Sequence, residues 1–238
     1  MVAIQISADE GTFGCGATLV ASKYVITAAH CLFCGKDPPI APTDVEARIG
    51  EHNFQATGET SIPTRTMSVS KIICHPKYDE RTENNDIAVL QLAEEVDLNV
   101  YTPACMAKTS DESSFYGKTA QVYGWGDTSF GGAPSLDKLL EVDVTVVTPK
   151  QCAERNGDPS VRFGGKICAG GEVGKDTCQV YKFSSQDSME AKFAMLVGAH
   201  CPHLLSIEPR LTFYLNASIE LCYGLYFIDL SRETVEVL

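Results

Sequence analysis

Short runs rich in Val, Ile and Thr, broken every few residues by Gly, Pro, Asn or Asp, fill the chain from Met1 to Gln179, with almost no helical periodicity between them. Strand-length runs between turn residues predict an all-β sandwich or barrel. Gly16-Ala17-Thr18-Leu19-Val20, Tyr24-Val25-Ile26-Thr27-Ala28, Thr119-Ala120-Gln121-Val122-Tyr123 and residues 87–92 and 140–147 read as strands. The last alternates apolar and polar positions, so one of its faces is wet. Residues 126–135 have the composition of an exposed loop. Beyond Gln179 the texture changes: glycines become rare, turn signals thin out, and residues 188–197 and 219–228 read as helical or buried segments of no clear type.

Ten cysteines are spread along the 238 residues, a distribution that points to an oxidised, secreted protein. A zinc site would call for paired C-x2-C knuckles, and Cys31-Leu32-Phe33-Cys34 stands without a second pair. A formal net charge of −12 offers no basic stripe for phosphate, which excludes nucleic acid as a partner. No apolar run reaches the roughly 20 residues that cross a bilayer, which excludes a membrane span. Met1-Val2-Ala3-Ile4-Gln5-Ile6 has neither a basic nor a long apolar region, so it is no signal peptide and is expected not to be the natural start.

Acyl transfer at a peptide needs a base beside a hydroxyl, a carboxylate holding that base in the right tautomer, and donors for the oxyanion. Thr27-Ala28-Ala29-His30-Cys31 places a histidine just after a small-residue strand end, and Asn85-Asp86-Ile87-Ala88-Val89-Leu90 places an aspartate at the opening of a hydrophobic strand. In that order, with Gly14-Cys15-Gly16 upstream and Gly124-Trp125-Gly126 and Ile167-Cys168-Ala169-Gly170-Gly171 downstream, these segments resemble the chymotrypsin and trypsin family of serine proteases, peptidase S1.

The resemblance implies an all-β fold of two antiparallel six-stranded barrels, the first over residues 1–108 and the second, incomplete, over 109–179, followed by an unrelated tail over 180–238. It implies His30 as general base and Asp86 as the carboxylate that orients it. Lys175-Asp176-Thr177-Cys178-Gln179 resembles the floor of the primary specificity pocket, so Asp176 would pair with an Arg or Lys of a protein or peptide substrate. By the same analogy Cys15 pairs with Cys31, Cys34 with Cys74, and Cys152 with Cys168, while Cys105, Cys178, Cys201 and Cys222 are left without an assured partner. Gly50-Glu51-His52-Asn53-Phe54 with Glu59 resembles a calcium loop but is shorter than the family's, and reads as a solvated acidic turn. No metal or cofactor is expected, the location is extracellular, and partners in a protease cascade fit the family.

The resemblance stops at Gln179. Family members continue with Gly-Asp-Ser-Gly-Gly-Pro, which carries the nucleophile and the oxyanion amides, whereas this chain continues Val180-Tyr181-Lys182-Phe183-Ser184-Ser185. Asp187-Ser188 lacks the glycines that such a turn requires. The family's Ile-Val-Gly-Gly start and the aspartate that receives it are also absent. A mismatch beginning at one residue, followed by foreign texture, suggests reading through an exon boundary. The expected protein is therefore a trypsin-like endopeptidase by family that does not hydrolyse peptides as written, with a non-catalytic homologue that binds regulatory partners as the alternative. Lost strands would leave open edges on the second barrel unless the tail covers them.

Overall fold

A computed structural model describes residues 1–8, 11–58, 60–82, 84–106, 112–125, 138–156, 166–170, 191–192, 195–196, 212–213, 225–229 and 235–236. Six strands, β1 (Val2–Ala8), β2 (Gly11–Ala21), β3 (Tyr24–Thr27), β4 (Val45–Ile49), β5 (Arg65–Cys74) and β6 (Ala88–Leu92), pair in the order β1-β4-β5-β6-β3-β2. β1 also pairs with β2, from Val2 opposite Ala17 to Ala8 opposite Gly11, which closes the sheet into an antiparallel barrel without a free edge. Alternation decides which residues face inward: β4 buries Val45, Ala47 and Ile49 and turns Glu46 outward. The barrel fills with Val2, Ile4 and Ile6 from β1, packed with Leu19, Val25, Leu90 and Leu92. Register shifts at Leu19/Ala21 and Val69/Lys71 let β2 and β5 bend around this core.

A second antiparallel sheet carries β7 (Thr119–Gly124), β8 (Leu140–Val147) and β9 (Lys166–Gly170). Its own core is Ala120, Val122, Val144, Val146, Ile167 and Ala169, while Glu141 and Asp143 of β8 face outward. Between β8 and β9 runs the helix α1 (Pro149–Asn156), which strand periodicity does not reveal. Its signal is local: Thr148-Pro149-Lys150-Gln151 is a capping box with proline at the first helical position. The Thr148 hydroxyl accepts from the Gln151 N–H (3.2 Å), and Gln151 Oε1 accepts from the Thr148 N–H (3.0 Å).

Beyond Gln179 the described residues are strands: β10 (Ala191–Lys192), β11 (Met195–Leu196), β12 (Thr212–Phe213), β13 (Leu225–Asp229) and β14 (Val235–Glu236). β13 lies antiparallel along all of β9, from Leu225 opposite Gly170 to Asp229 opposite Lys166, and β11 pairs with β7. The sheet therefore runs β11-β7-β8-β9-β13, and both edges that the sequence leaves open take a strand from the tail. β10 adds parallel to β2 at Gly14 and Cys15, and β12 pairs with β14. No helix among the described residues is long and apolar enough to cross a membrane. The loop expected at 126–135 lies outside the described residues.

Candidate active site

β3 and β6 are antiparallel neighbours with Thr27 opposite Ala88, so the residues that follow β3 and those that precede β6 emerge at the same end of the barrel. That register brings His30 and Asp86 together across 56 positions of sequence. The strand end is held by the Thr27 hydroxyl, buried and donating to the Gly16 carbonyl at 2.9 Å. Small Ala28 and Ala29 then let the chain coil tightly into a short 3-10 turn over His30–Leu32, closed by Phe33 in the left-handed region at φ 52°. Two disulfides staple this turn. Cys31 is bonded to Cys15 on β2, and Cys34 to Cys74 at the end of β5.

On the other side, Asn85 takes a left-handed φ of 58° and donates through Nδ2 to the Lys77 carbonyl (2.7 Å), which turns the next side chain inward. The preceding loop folds on its own hydrogen bonds. The Thr82 hydroxyl and the Arg81 backbone N–H both donate to Asp79, holding that carboxyl below its usual range. Asp86 is wholly buried. Its Oδ1 accepts the His30 backbone N–H at 2.7 Å, and its Oδ2 bonds His30 Nδ1.

A buried carboxylate can only accept, so Nδ1 carries the ring proton and Nε2 keeps its lone pair. Nε2 lies 3.4 Å from Cys31 Sγ, and the imidazole is the partly exposed member of the pair, at 14%. The arrangement holds the imidazole in one orientation, with Nε2 able to accept a hydrogen bond. A cleft of about 1070 Å³ opens beside it. The ligand-type atoms of Cys15, His30 and Cys31 fall within 4.8 Å of one another, but both sulfurs are spent in the disulfide.

The remaining site residues divide. Cys152 of α1 is bonded to Cys168 of β9, which pins the helix to the second sheet. Cys105 is itself disulfide-bonded, which the sequence left open. Asp176, Cys178, Ser188, Cys201 and Cys222 lie outside the described residues, as does Glu59 of the acidic turn. Glu51 of that turn is buried: Oε1 accepts the His52 N–H (3.0 Å) and Oε2 faces Arg48 Nη1 at 3.6 Å, so its charge answers an arginine. The reading of a solvated turn is corrected at Glu51 alone, which follows β4 directly and packs against it, while residues 55–58 are exposed. The same turn docks the second sheet. Trp125 Nε1 and the Leu139 N–H both donate to the His52 carbonyl (2.9 and 2.8 Å), and Phe54 packs edge-on against the Trp125 ring.

A family model described as trypsin matches residues 1–180. The venom peptide isomerase heavy chain of Agelenopsis aperta is 34% identical over 190 residues, covering 75% of this chain and 73% of that protein. The CLIP domain-containing serine protease HP8 of Bombyx mori is 34% identical over 178 residues, covering 70% and 47%. Trypsin-3 of Homo sapiens is 30% identical over 176 residues, covering 74% and 53%. The chain thus spans about half the length of the last two relatives.

Proposed function

The chain belongs to the trypsin family, and from that premise we propose that it carries the base and carboxylate half of a trypsin-type endopeptidase site, with His30 as general base and Asp86 as the group that orients it. The observation that carries this reading is the buried Asp86 carboxylate, which accepts from both the backbone and the ring of His30. An aspartate with no access to water costs several kcal/mol unless its charge is used, and here the backbone N–H and the ring of His30 both answer it.

In this reading the substrate is a protein or peptide cut after Arg or Lys, selected by Asp176, and the protein works outside the cell. Partners in a proteolytic cascade fit the likeness to a CLIP domain-containing protease. Residues 1–108 form the first barrel, 109–179 part of a second, and 180–238 a tail outside the family pattern. The segment after Gln179 supplies neither the nucleophilic serine nor the glycines of the oxyanion turn, so the chain as written does not turn over peptides by this mechanism.

Proton NMR of the purified chain tests the pairing directly. The His30 Nδ1 proton, bonded to a buried carboxylate, gives a far-downfield signal that disappears in Asp86→Ala and in His30→Ala. No such signal in the folded parent overturns the assignment of His30. Hydrolysis of Arg and Lys ester substrates is expected at background in all three proteins, and turnover abolished by His30→Ala would show that this chain contains its own nucleophile.

A further inference from the structure

We propose that Cys15, Cys31 and His30 form a redox-gated zinc site: once the Cys15–Cys31 bond is reduced, its two thiolates and the imidazole together hold Zn²⁺. The bond joins β2 to the short turn that carries His30, so reduction leaves two sulfurs beside the ring. Both Sγ atoms and a ring nitrogen of His30 already lie within 4.8 Å of one another. Two thiolates and one imidazole are a donor set that zinc accepts with water in the fourth position. Bonds of about 2.3 Å to sulfur and about 2.0 Å to nitrogen, at tetrahedral angles, set nitrogen and sulfur about 3.5 Å apart. Nε2 stands 3.4 Å from Cys31 Sγ, so this pair needs almost no movement. The sulfurs must part to about 3.8 Å. With the Cα atoms 6.3 Å apart, rotation about the Cα–Cβ bonds is enough.

A second, independent observation concerns the ring. Metal-bound histidines donate their other N–H to a carboxylate or carbonyl, which fixes the tautomer and aims the ligating nitrogen. The wholly buried Asp86 does this through Oδ2 at Nδ1, leaving Nε2 as the ligating atom on the side of the sulfurs. Three constraints keep the ligands in place without the Cys15–Cys31 bond. Cys34–Cys74 ties down the end of the turn, the Thr27 hydroxyl donates to the carbonyl of Gly16 beside Cys15, and Asp86 Oδ1 accepts the His30 N–H. An external dithiol supplies the two electrons and becomes its own disulfide as Cys15 and Cys31 become thiols. Zinc then displaces one proton from each thiol to solvent, while Nε2 has none to lose. Bound metal occupies the nitrogen that would act as base, so the oxidised chain keeps the base and the reduced, zinc-loaded chain does not.

Cobalt titration of the full chain tests this, because thiolate ligands give Co²⁺ a charge-transfer absorption in the near ultraviolet and Zn²⁺ then displaces it. After mild dithiol reduction and removal of the reductant, the parent is expected to take up one Co²⁺ with this band, and the oxidised parent to show none. Asp86→Asn should weaken binding about 10–100-fold with the band retained, and His30→Ala should weaken it further. Cys15→Ala with Cys31→Ala should abolish the band, whereas Cys152→Ala with Cys168→Ala, in the second sheet, should leave both band and affinity unchanged. Circular dichroism of each variant checks that it is folded. Absence of the band in the reduced parent overturns the proposal, and so does equal affinity in His30→Ala, which would assign the metal to thiols elsewhere in the chain.

Discussion

Removing the Cys34–Cys74 disulfide is expected to cost more stability than removing either of the other two described bonds. The reason lies in the unfolded chain. A crosslink takes away loop-closure entropy that grows with the logarithm of the loop, and Cys34 and Cys74 are 40 positions apart, whereas Cys15–Cys31 and Cys152–Cys168 each span 16. The entropy relation gives about 3.9 kcal/mol at 25 °C for the long loop and about 3.1 kcal/mol for each short one. Set against a usual total of about 5–15 kcal/mol, the long bond is a large fraction of the whole. The replacements are paired, Cys34→Ala with Cys74→Ala and likewise for the others, so that no thiol is left to find a new partner. For a chain of this size the melting temperature, followed by circular dichroism, should fall about 8–16 °C for the long bond and somewhat less for each short one. If removing Cys34–Cys74 lowers the melting temperature less than removing Cys15–Cys31, loop length is not what sets the contribution, and the entropic reasoning fails.

Two further outcomes follow from single positions. Gly50 has φ +76°, and a Cβ there would meet the Pro63 carbonyl oxygen at 2.7 Å, the same oxygen that accepts the Tyr101 hydroxyl; Gly50→Ala is therefore expected to destabilise the barrel by ~2–4 kcal/mol, and an unchanged thermal melt would show that the loop yields freely. Burial, then the charges of Glu141 opposite it and of Asp143, push the Tyr123 phenol above its usual range; since the fold favours the neutral ring, this contribution is intact below about pH 10 and declines as pH rises through the folded value. The difference in ultraviolet titration between the parent and Tyr123→Phe should place this phenol above the ordinary tyrosine range, and Glu141→Gln should move it back towards that range.

The sequence by itself determined what depends on neighbours along the chain. Strand runs such as Leu140–Val147 are visible because a half-buried strand must alternate, and the capping box at Thr148-Pro149-Lys150-Gln151 marks α1 to a reader who looks for end signals and not only for periodicity. His30 and Asp86 are legible as family motifs, each embedded in a distinctive local string. What the string cannot carry is their meeting, which is decided by the β3–β6 register that sets Thr27 opposite Ala88 and fixed by burial of the Asp86 carboxylate. The cleft follows the same rule. Its walls come from the loop after the His30 turn and from the loop that leads to Asp86, and Lys36 meets Glu80 across it only in the fold. Local propensity is written residue by residue, but a field inside a cleft is a sum over groups brought together from distant parts of the chain, and closing the barrel is what performs that sum.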